Sequence, residues 1–60
     1  MAGKFELFLD KGGEWRFNLK AGNGEIIATS EGYSAKASAL NGIESIRKHA
    51  PEAPVVEVER

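Results

Sequence analysis

The stretch Ser34–Ala50, SAKASALNGIESIRKHA, decides the fold. It is the only segment long and regular enough for a helix of about four turns, which we predict over residues 34–49. Ser34 is the expected N-cap, and Pro51 stops the helix because proline has no N–H to donate. Apolar side chains recur at steps of three or four and predict one packed face: Ala37, Leu40, Ile43, Ile46 and Ala50.

Gly42 interrupts this helical pattern. Glycine costs about 1 kcal/mol relative to alanine inside a helix, because its backbone is more flexible when unfolded. The cost is acceptable where another element crosses the helix closely. We therefore expect a close neighbour at Gly42.

Residues 4–10 and 14–20 alternate between apolar and polar side chains and predict two β-strands joined by a three-residue loop ending in Gly13. One register puts all the apolar side chains on one face, pairing Phe5 with Leu19, Leu7 with Phe17 and Leu9 with Trp15. In that register Phe8 lies opposite Arg16 on the outer face. A guanidinium over a ring there is worth about 0.5–1 kcal/mol.

A third strand is predicted over residues 25–29, after a turn at Asn23-Gly24. Asn-Gly is the preferred pair for a two-residue type I′ hairpin turn. With that turn, Ile26 and Ala28 join the core and Ile27 faces outward beside Lys20. An outward Ile27 near Phe8 would form an apolar spot that a partner could cover.

After the helix, the segment Pro51–Pro54 is a stiff, extended connection. Residues 55–58 then predict a fourth short strand. Its place beside two prolines makes it an arm that could reach another molecule as easily as fold back. The expected dimer contacts are the valines of this arm, Val55, Val56 and Val58.

The length of 60 residues indicates a single domain, residues 1–60, with a small interior. The expected core consists of twelve apolar side chains: Phe5, Leu7, Leu9, Trp15, Phe17, Leu19, Ile26, Leu40, Ile43, Ile46, Val56 and Val58. Domains this small usually need a disulfide, a metal or a second chain. The sequence has no cysteine and one histidine, so association with a second copy is what remains.

The formal charge of −1 and pI near 5.7 remove the usual electrostatic case for a nucleic-acid-binding protein, which would be basic. We therefore do not expect nucleic acid as the main partner. The sequence has no apolar stretch of signal-peptide or transmembrane length, so we expect a cytoplasmic protein with no membrane association.

Most of the chain up to Ala50 resembles the YegP-like proteins, a family of small uncharacterised proteins found mainly in prokaryotes. The resemblance lies in short motifs along the chain: Lys4-Phe5-Glu6, Asp10-Lys11, Gly13-Glu14-Trp15-Arg16-Phe17, Leu19-Lys20-Ala21, Asn23-Gly24-Glu25-Ile26-Ile27-Ala28, Ser30-Glu31-Gly32-Tyr33, Lys36-Ala37 and Gly42-Ile43-Glu44-Ser45-Ile46. Phe8 departs from the pattern, since a tyrosine is expected there in much of the family.

The resemblance implies an α+β fold built from a β-β-β-α-β unit, in which an antiparallel three-strand meander packs on one helix. It also implies that two such units, as two subunits or as tandem repeats, share a single sheet by exchanging their C-terminal strands. With one unit here, a homodimer is expected. The family brings no established activity, cofactor or catalytic residue.

The residues alone assign no catalytic group, metal site or cofactor. His49 is the only histidine, and a role as a cation at the helix C-terminus needs neither the partner nor the pocket that a general base requires. The candidate binding residues are Phe8, Arg16, Lys20 and Ile27 on the outer sheet face, and Lys36 near the helix N-terminus, where free N–H groups attract anions.

The leading hypothesis is a non-catalytic homodimeric module that binds a protein or small ligand at the outer sheet face or at the subunit junction. An alternative is a weak single-stranded RNA binder using Phe8 and Arg16 on the sheet. A third is a small-molecule enzyme with a site at the dimer junction. The sequence does not choose a ligand or pathway.

Overall fold

The computed structural model describes residues 2–59 of the chain. Its elements, in chain order, are β1 (Lys4–Leu9), β2 (Trp15–Lys20), β3 (Ile26–Thr29) and α1 (Lys36–His49), followed by a single 3₁₀ turn, Ala50–Glu52. The strands form one antiparallel sheet in the order β1-β2-β3, and α1 packs mainly on β2. The predicted α+β class, with a three-strand meander and one helix, is confirmed.

The first hairpin has the predicted register. Phe5 pairs with Leu19, Leu7 with Phe17 and Leu9 with Trp15, so alternate apolar side chains share the face that meets the helix. The loop closes through a hydrogen bond of 3.1 Å from the Gly13 amide to the Asp10 carbonyl, and Gly13 adopts a φ of 84°. A left-handed glycine ending a three-residue loop is the predicted geometry, and it is confirmed.

The second hairpin does not use the type I′ turn that Asn23-Gly24 predicts. Such a turn needs a positive φ at both central residues, and only Gly24 has one, at 90°. Instead the Gly24 amide donates to the Ala21 carbonyl at 2.9 Å, which gives a loop like the first. Next to this loop, the residues of β3 therefore pair with β2 one position away from the predicted register.

A β-bulge at Ile27 then restores the predicted register. Lys20 pairs with Ile26, but its neighbour Leu19 pairs with Ala28, so Ile27 is the extra residue. Ala28 therefore shares the core face with Leu19, as predicted. Ile26 lies on the outer face with Lys20, so its predicted place in the core is wrong.

The helix begins later than predicted, and Ser34 is not its cap. Tyr33 forms a bridge with Trp15, donating at 2.8 Å and accepting at 2.7 Å, which keeps the chain extended through this point. Ala35 is the N-cap residue and makes no side-chain capping bond. Its carbonyl accepts from the amides of Ser38 and Ala39, so the first helical turn closes one residue after Ser34.

The buried face of α1 is rotated from the predicted stripe. Ala39 is fully buried and Ile43 nearly so, with Ile46 packed beside them, whereas Ala37 and Leu40 are exposed. A small alanine at the contact lets the helix approach β2 closely. The expected close neighbour of Gly42 is confirmed: a Cβ there would lie 2.8 Å from the Tyr33 hydroxyl and 3.4 Å from the Phe17 ring.

Aromatic rings fill the space between the helix and the sheet. Phe17 is buried at the centre, with Tyr33 stacked at 6.2 Å between ring centroids and Phe5 edge-on at 5.9 Å. Tyr33 was absent from the predicted core, because its place in a loop gives no periodic signal. Three predicted core side chains on the strands and helix are exposed instead: Leu9, Ile26 and Leu40.

The segment after the 3₁₀ turn forms no strand within the single chain. Residues 53–59 lie outside the secondary structure, and Val55, Val56 and Val58 are exposed. Placing Val56 and Val58 in the core of the single chain is therefore wrong. The predicted strand at residues 55–58 stays a prediction for a state in which another strand pairs with it.

Candidate functional site

The outer face of the sheet brings Phe8 and Arg16 directly opposite each other, as the register predicts. Arg16 nevertheless does not lie over the ring. Its Nε lies 2.6 Å from Asp10 Oδ2, and its Nη1 donates to the Ser30 carbonyl at 3.2 Å. The predicted cation–π pair is wrong because the carboxylate on the same face binds the guanidinium more strongly than a ring does.

The other cations of this face are also paired. Lys20 Nζ lies 3.0 Å from one oxygen of Glu6, and Lys4 Nζ lies 3.4 Å from the other. The hydrogen bond from Lys20, with a further one from Lys4, lowers the pKa of Glu6. These pairs reduce the positive potential that a nucleic-acid backbone would meet at Arg16 and Lys20.

The apolar side chains of the outer face lie at opposite corners rather than in one spot. Phe8 is in the row of Arg16, while Ile26 and the bulged Ile27 are in the row of Lys20, four residues along β2. Standard strand spacings put Phe8 and Ile26 roughly 16 Å apart. The sequence prediction that Ile27 lies near Phe8 is wrong, since the Lys20–Glu6 pair stands between them.

Lys36 lies on the other side of the sheet, at the start of α1. Its Nζ is 5.5 Å from the centroid of the Trp15 ring, a cation–π distance. No side chain caps this helix end, and its first turn has no acidic residue. The candidate binding residues therefore do not form one cluster: Lys36 is separated from Phe8, Arg16, Lys20 and Ile27 by the sheet.

The C-terminal arm carries the most exposed of the large apolar side chains in the described chain. Val55 is 100% exposed, and Val56 and Val58 are each 72% exposed. Exposed apolar side chains that lie close together are a feature of interaction surfaces. The residues predicted as dimer contacts are thus free to meet a partner.

His49 lies exposed at the end of α1, with Arg47 and Lys48 in the same turn. Among residues 2–59 there is no group of three histidine, cysteine or acidic side chains that could hold a metal ion, and no pocket. The same part of the chain contains no helix both long and apolar enough to span a membrane.

Asp10 organises the first hairpin loop, a role that the sequence patterns did not predict. Its Oδ1 accepts from the amides of Gly12 and Glu14, each at 2.9 Å, while Oδ2 binds Arg16. These bonds, the one from Glu14 first, lower the pKa of Asp10. The signal was present, because an aspartate before a glycine-containing turn often binds the backbone two residues on.

Comparison with known proteins gives close relatives over nearly the whole chain. A UPF0339 protein of Treponema denticola is 64% identical over 58 residues, which cover 97% of this chain and 100% of the relative. The UPF0339 protein PA0329 of Pseudomonas aeruginosa is 57% identical, and the match covers 97% of this chain but 53% of the relative.

The fold is shared with a solved structure. A protein from Haloferax volcanii, determined by NMR in solution, superposes with a TM-score of 0.84 at 41% identity, covering 95% of this chain and 97% of that one. The family model described as "Domain of unknown function (DUF1508)" matches residues 10–57. The chain therefore belongs to the DUF1508 family, the uncharacterised YegP-like group that its sequence motifs resemble.

Proposed function

We propose that the protein acts as a non-catalytic homodimeric binding module, in which residues 55–58 of each chain form a strand in the sheet of the other. The observation that carries the proposal is the exposure of Val55, Val56 and Val58 in the single chain. A strand needs a neighbour to satisfy its N–H and C=O groups, and the sheet offers two free edges, β1 and β3.

The small interior supports the same proposal. Only Phe17, Ala39 and Ile43 are buried among the apolar residues of the described chain. Two valines from a partner enlarge this core. Because a two-fold exchange is symmetric, each subunit receives the same two valines from the other. The longer Pseudomonas relative, about half of which this chain matches, has room for two such units in one polypeptide.

The ligand of the dimer is a protein or small molecule bound at the outer sheet face or the subunit junction. Phe8 and Ile27 are exposed apolar side chains on that face and are the proposed contacts. The proposed location is the cytoplasm, whose reducing conditions suit a chain without cysteine.

The mass in solution tests the proposal. At micromolar concentration, sedimentation equilibrium should give about 13 kDa, twice the chain mass of 6.5 kDa. Replacing Val56 and Val58 by aspartate should abolish the dimer, because a charged strand cannot be buried against a core. Ala53→Asp, which adds one of the same charges before the strand, should leave it intact. A folded wild-type monomer would overturn the proposal.

The binding role needs a separate measurement. The wild-type dimer and a Phe8→Ala, Ile27→Ala variant are used to capture proteins and metabolites from lysate, which mass spectrometry then identifies. A ligand of the outer face should be retained by the wild type and lost by the variant. Equal capture by both would contradict a site at these residues.

A further inference from the structure

We infer that Asn23 is a site of covalent modification in the folded protein, where its side chain loses ammonia and becomes aspartate or isoaspartate, and that the isoaspartyl form disturbs the register of β3. The chain has two Asn-Gly pairs. Asn23-Gly24 lies in the exposed loop between β2 and β3, whereas Asn41-Gly42 lies inside α1. The reaction needs neither a second chain nor a ligand.

The reaction is an attack of the Gly24 backbone nitrogen on the side-chain carbon of Asn23. The nitrogen gives its proton to hydroxide and bonds to Asn23 Cγ. The bond from Cγ to Nδ2 breaks, and Nδ2 takes a proton from water and leaves as ammonia. Water then opens the cyclic imide. Opening at Cγ gives aspartate, while opening at the main-chain carbonyl gives isoaspartate, in which the main chain runs through Cβ and Cγ.

The loop prepares the side-chain amide of Asn23 for this attack. The backbone N–H of Glu25 donates to Asn23 Oδ1 at 3.0 Å. Negative charge develops on this oxygen as the nitrogen adds to Cγ, and a donor already aimed at it lowers the barrier. The same hydrogen bond holds the side chain along the main chain of Gly24.

The attacking nitrogen is accessible at low cost. The Gly24 N–H donates to the Ala21 carbonyl at 2.9 Å, and this bond must open before attack. Gly22, Asn23 and Gly24 are all exposed. Within residues 2–59, nothing except the chain neighbours of Gly24 lies within 4 Å of the place a Cβ would take there. Because no packing holds the loop, it opens easily.

The second Asn-Gly pair has the same chemistry but the wrong backbone. Asn41 is also exposed, so exposure of the side chain does not distinguish the two sites. In α1 its side chain tilts toward the helix N-terminus, away from the nitrogen of Gly42, which belongs to the helical hydrogen-bond ladder. Tyr33 covers Gly42 from the other side. Attack at Asn41 therefore requires the helix to unfold locally.

Modification at Asn23 changes the loop that sets the pairing of β3. Either product adds one negative charge to a chain whose formal charge is −1. Aspartate keeps an oxygen that can accept from Glu25, so the loop is preserved. Isoaspartate instead inserts one carbon into the main chain. The bulge at Ile27 and the pairing of Lys20 with Ile26 lie directly after this loop and should shift.

The two Asn-Gly pairs make the wild-type chain its own control. Folded protein is kept for several days at mildly alkaline pH, and peptide mass spectrometry follows the replacement of NH by O at each asparagine. A parallel sample is kept in guanidinium chloride. Folded Asn23 should react about tenfold or more faster than Asn41, a ratio that corresponds to about 1.4 kcal/mol. In guanidinium chloride the two rates should become similar, because both pairs are then open.

Similar rates at Asn23 and Asn41 in the folded protein, or a faster reaction at Asn41, would overturn the assignment. So would an Asn23 that reacts in guanidinium chloride but not in the folded chain, since the loop would then protect it. Asn23→Gln should abolish the fast reaction, because its longer side chain must close a larger ring. A fast reaction that persists in this variant would place the site elsewhere.

The effect on β3 has its own measurement. Ion exchange isolates the isoaspartyl form, and NMR compares its backbone amide signals with those of Asn23→Asp, which carries the same charge on an unaltered main chain. The amides of Ile26 and Ile27 should shift in the isoaspartyl form and stay near their wild-type positions in Asn23→Asp. Identical signals in the two proteins would overturn the effect on the register.

Discussion

Asp10 and Arg16 form an ion pair of 2.6 Å that joins the first hairpin loop to the outer face of the sheet. The same carboxylate accepts from two loop amides, and the same guanidinium donates to the Ser30 carbonyl beyond β3. One pair of side chains therefore connects the first hairpin loop to the end of β3. It also neutralises the arginine that the outer face would otherwise offer to a ligand.

Acid should weaken the fold through Asp10. Its pKa is lowered in the folded chain, so its contribution is present above the ordinary carboxyl value of about 3.9 and is lost as the pH falls through the folded value. Asp10→Asn should be less stable than the wild type at pH 7, and the difference should shrink toward pH 2. Urea unfolding at fixed chain concentration measures this, with Glu52→Gln as control. An unchanged difference across the range would contradict the assignment.

The rotated helix face predicts opposite outcomes for two neighbouring alanines. Ala39→Leu places three extra carbons in the closed contact with β2 and should destabilise the protein by about 1–3 kcal/mol. Ala37→Leu lies on the exposed side and should change stability by less than about 0.5 kcal/mol. Urea unfolding compares them. Equal effects, or a larger effect at Ala37, would support the face predicted from hydrophobicity alone.

Gly42→Ala should destabilise the protein even though alanine favours a helix by about 1 kcal/mol. The new Cβ would lie 2.8 Å from the Tyr33 hydroxyl, and that ring is held from behind by its stacking on Phe17. We expect a net loss of about 1 kcal/mol. In a Tyr33→Phe background, without the hydroxyl, the loss should become smaller. An equal loss in both backgrounds would mean that the hydroxyl is not the obstacle.

The sequence predicted β1 and β2 well because both strands alternate strictly between apolar and polar side chains, and each hairpin loop contains a glycine that takes a positive φ. The register of β1 and β2 followed from burying Leu7 opposite Phe17. The helix face was missed because periodicity ranks Leu40 above Ala39, while close packing on β2 favours the smaller residue. Leu9 and Leu40 were also predicted as core, because hydrophobicity alone does not show which apolar side chains stay exposed.

The outer face was less predictable than the core. Alternation placed Phe8 opposite Arg16 but could not show that Asp10, six residues before Arg16, would bind the guanidinium first. The bulge at Ile27 depends on the exact loop geometry at Gly24, which the Asn-Gly pair alone does not determine. Single-residue offsets of this kind decide which isoleucine faces outward.

The strand exchange is tested most directly by NMR on a half-labelled dimer. One population of chains carries ¹³C, the other does not, and an isotope-filtered experiment detects only contacts between the two. We predict intermolecular contacts from the methyl groups of Val56 or Val58 to side chains of the sheet in the other chain. Sheet contacts of these valines that are confined to single chains, or valines without contacts in a chain of monomeric mass, would contradict the exchange.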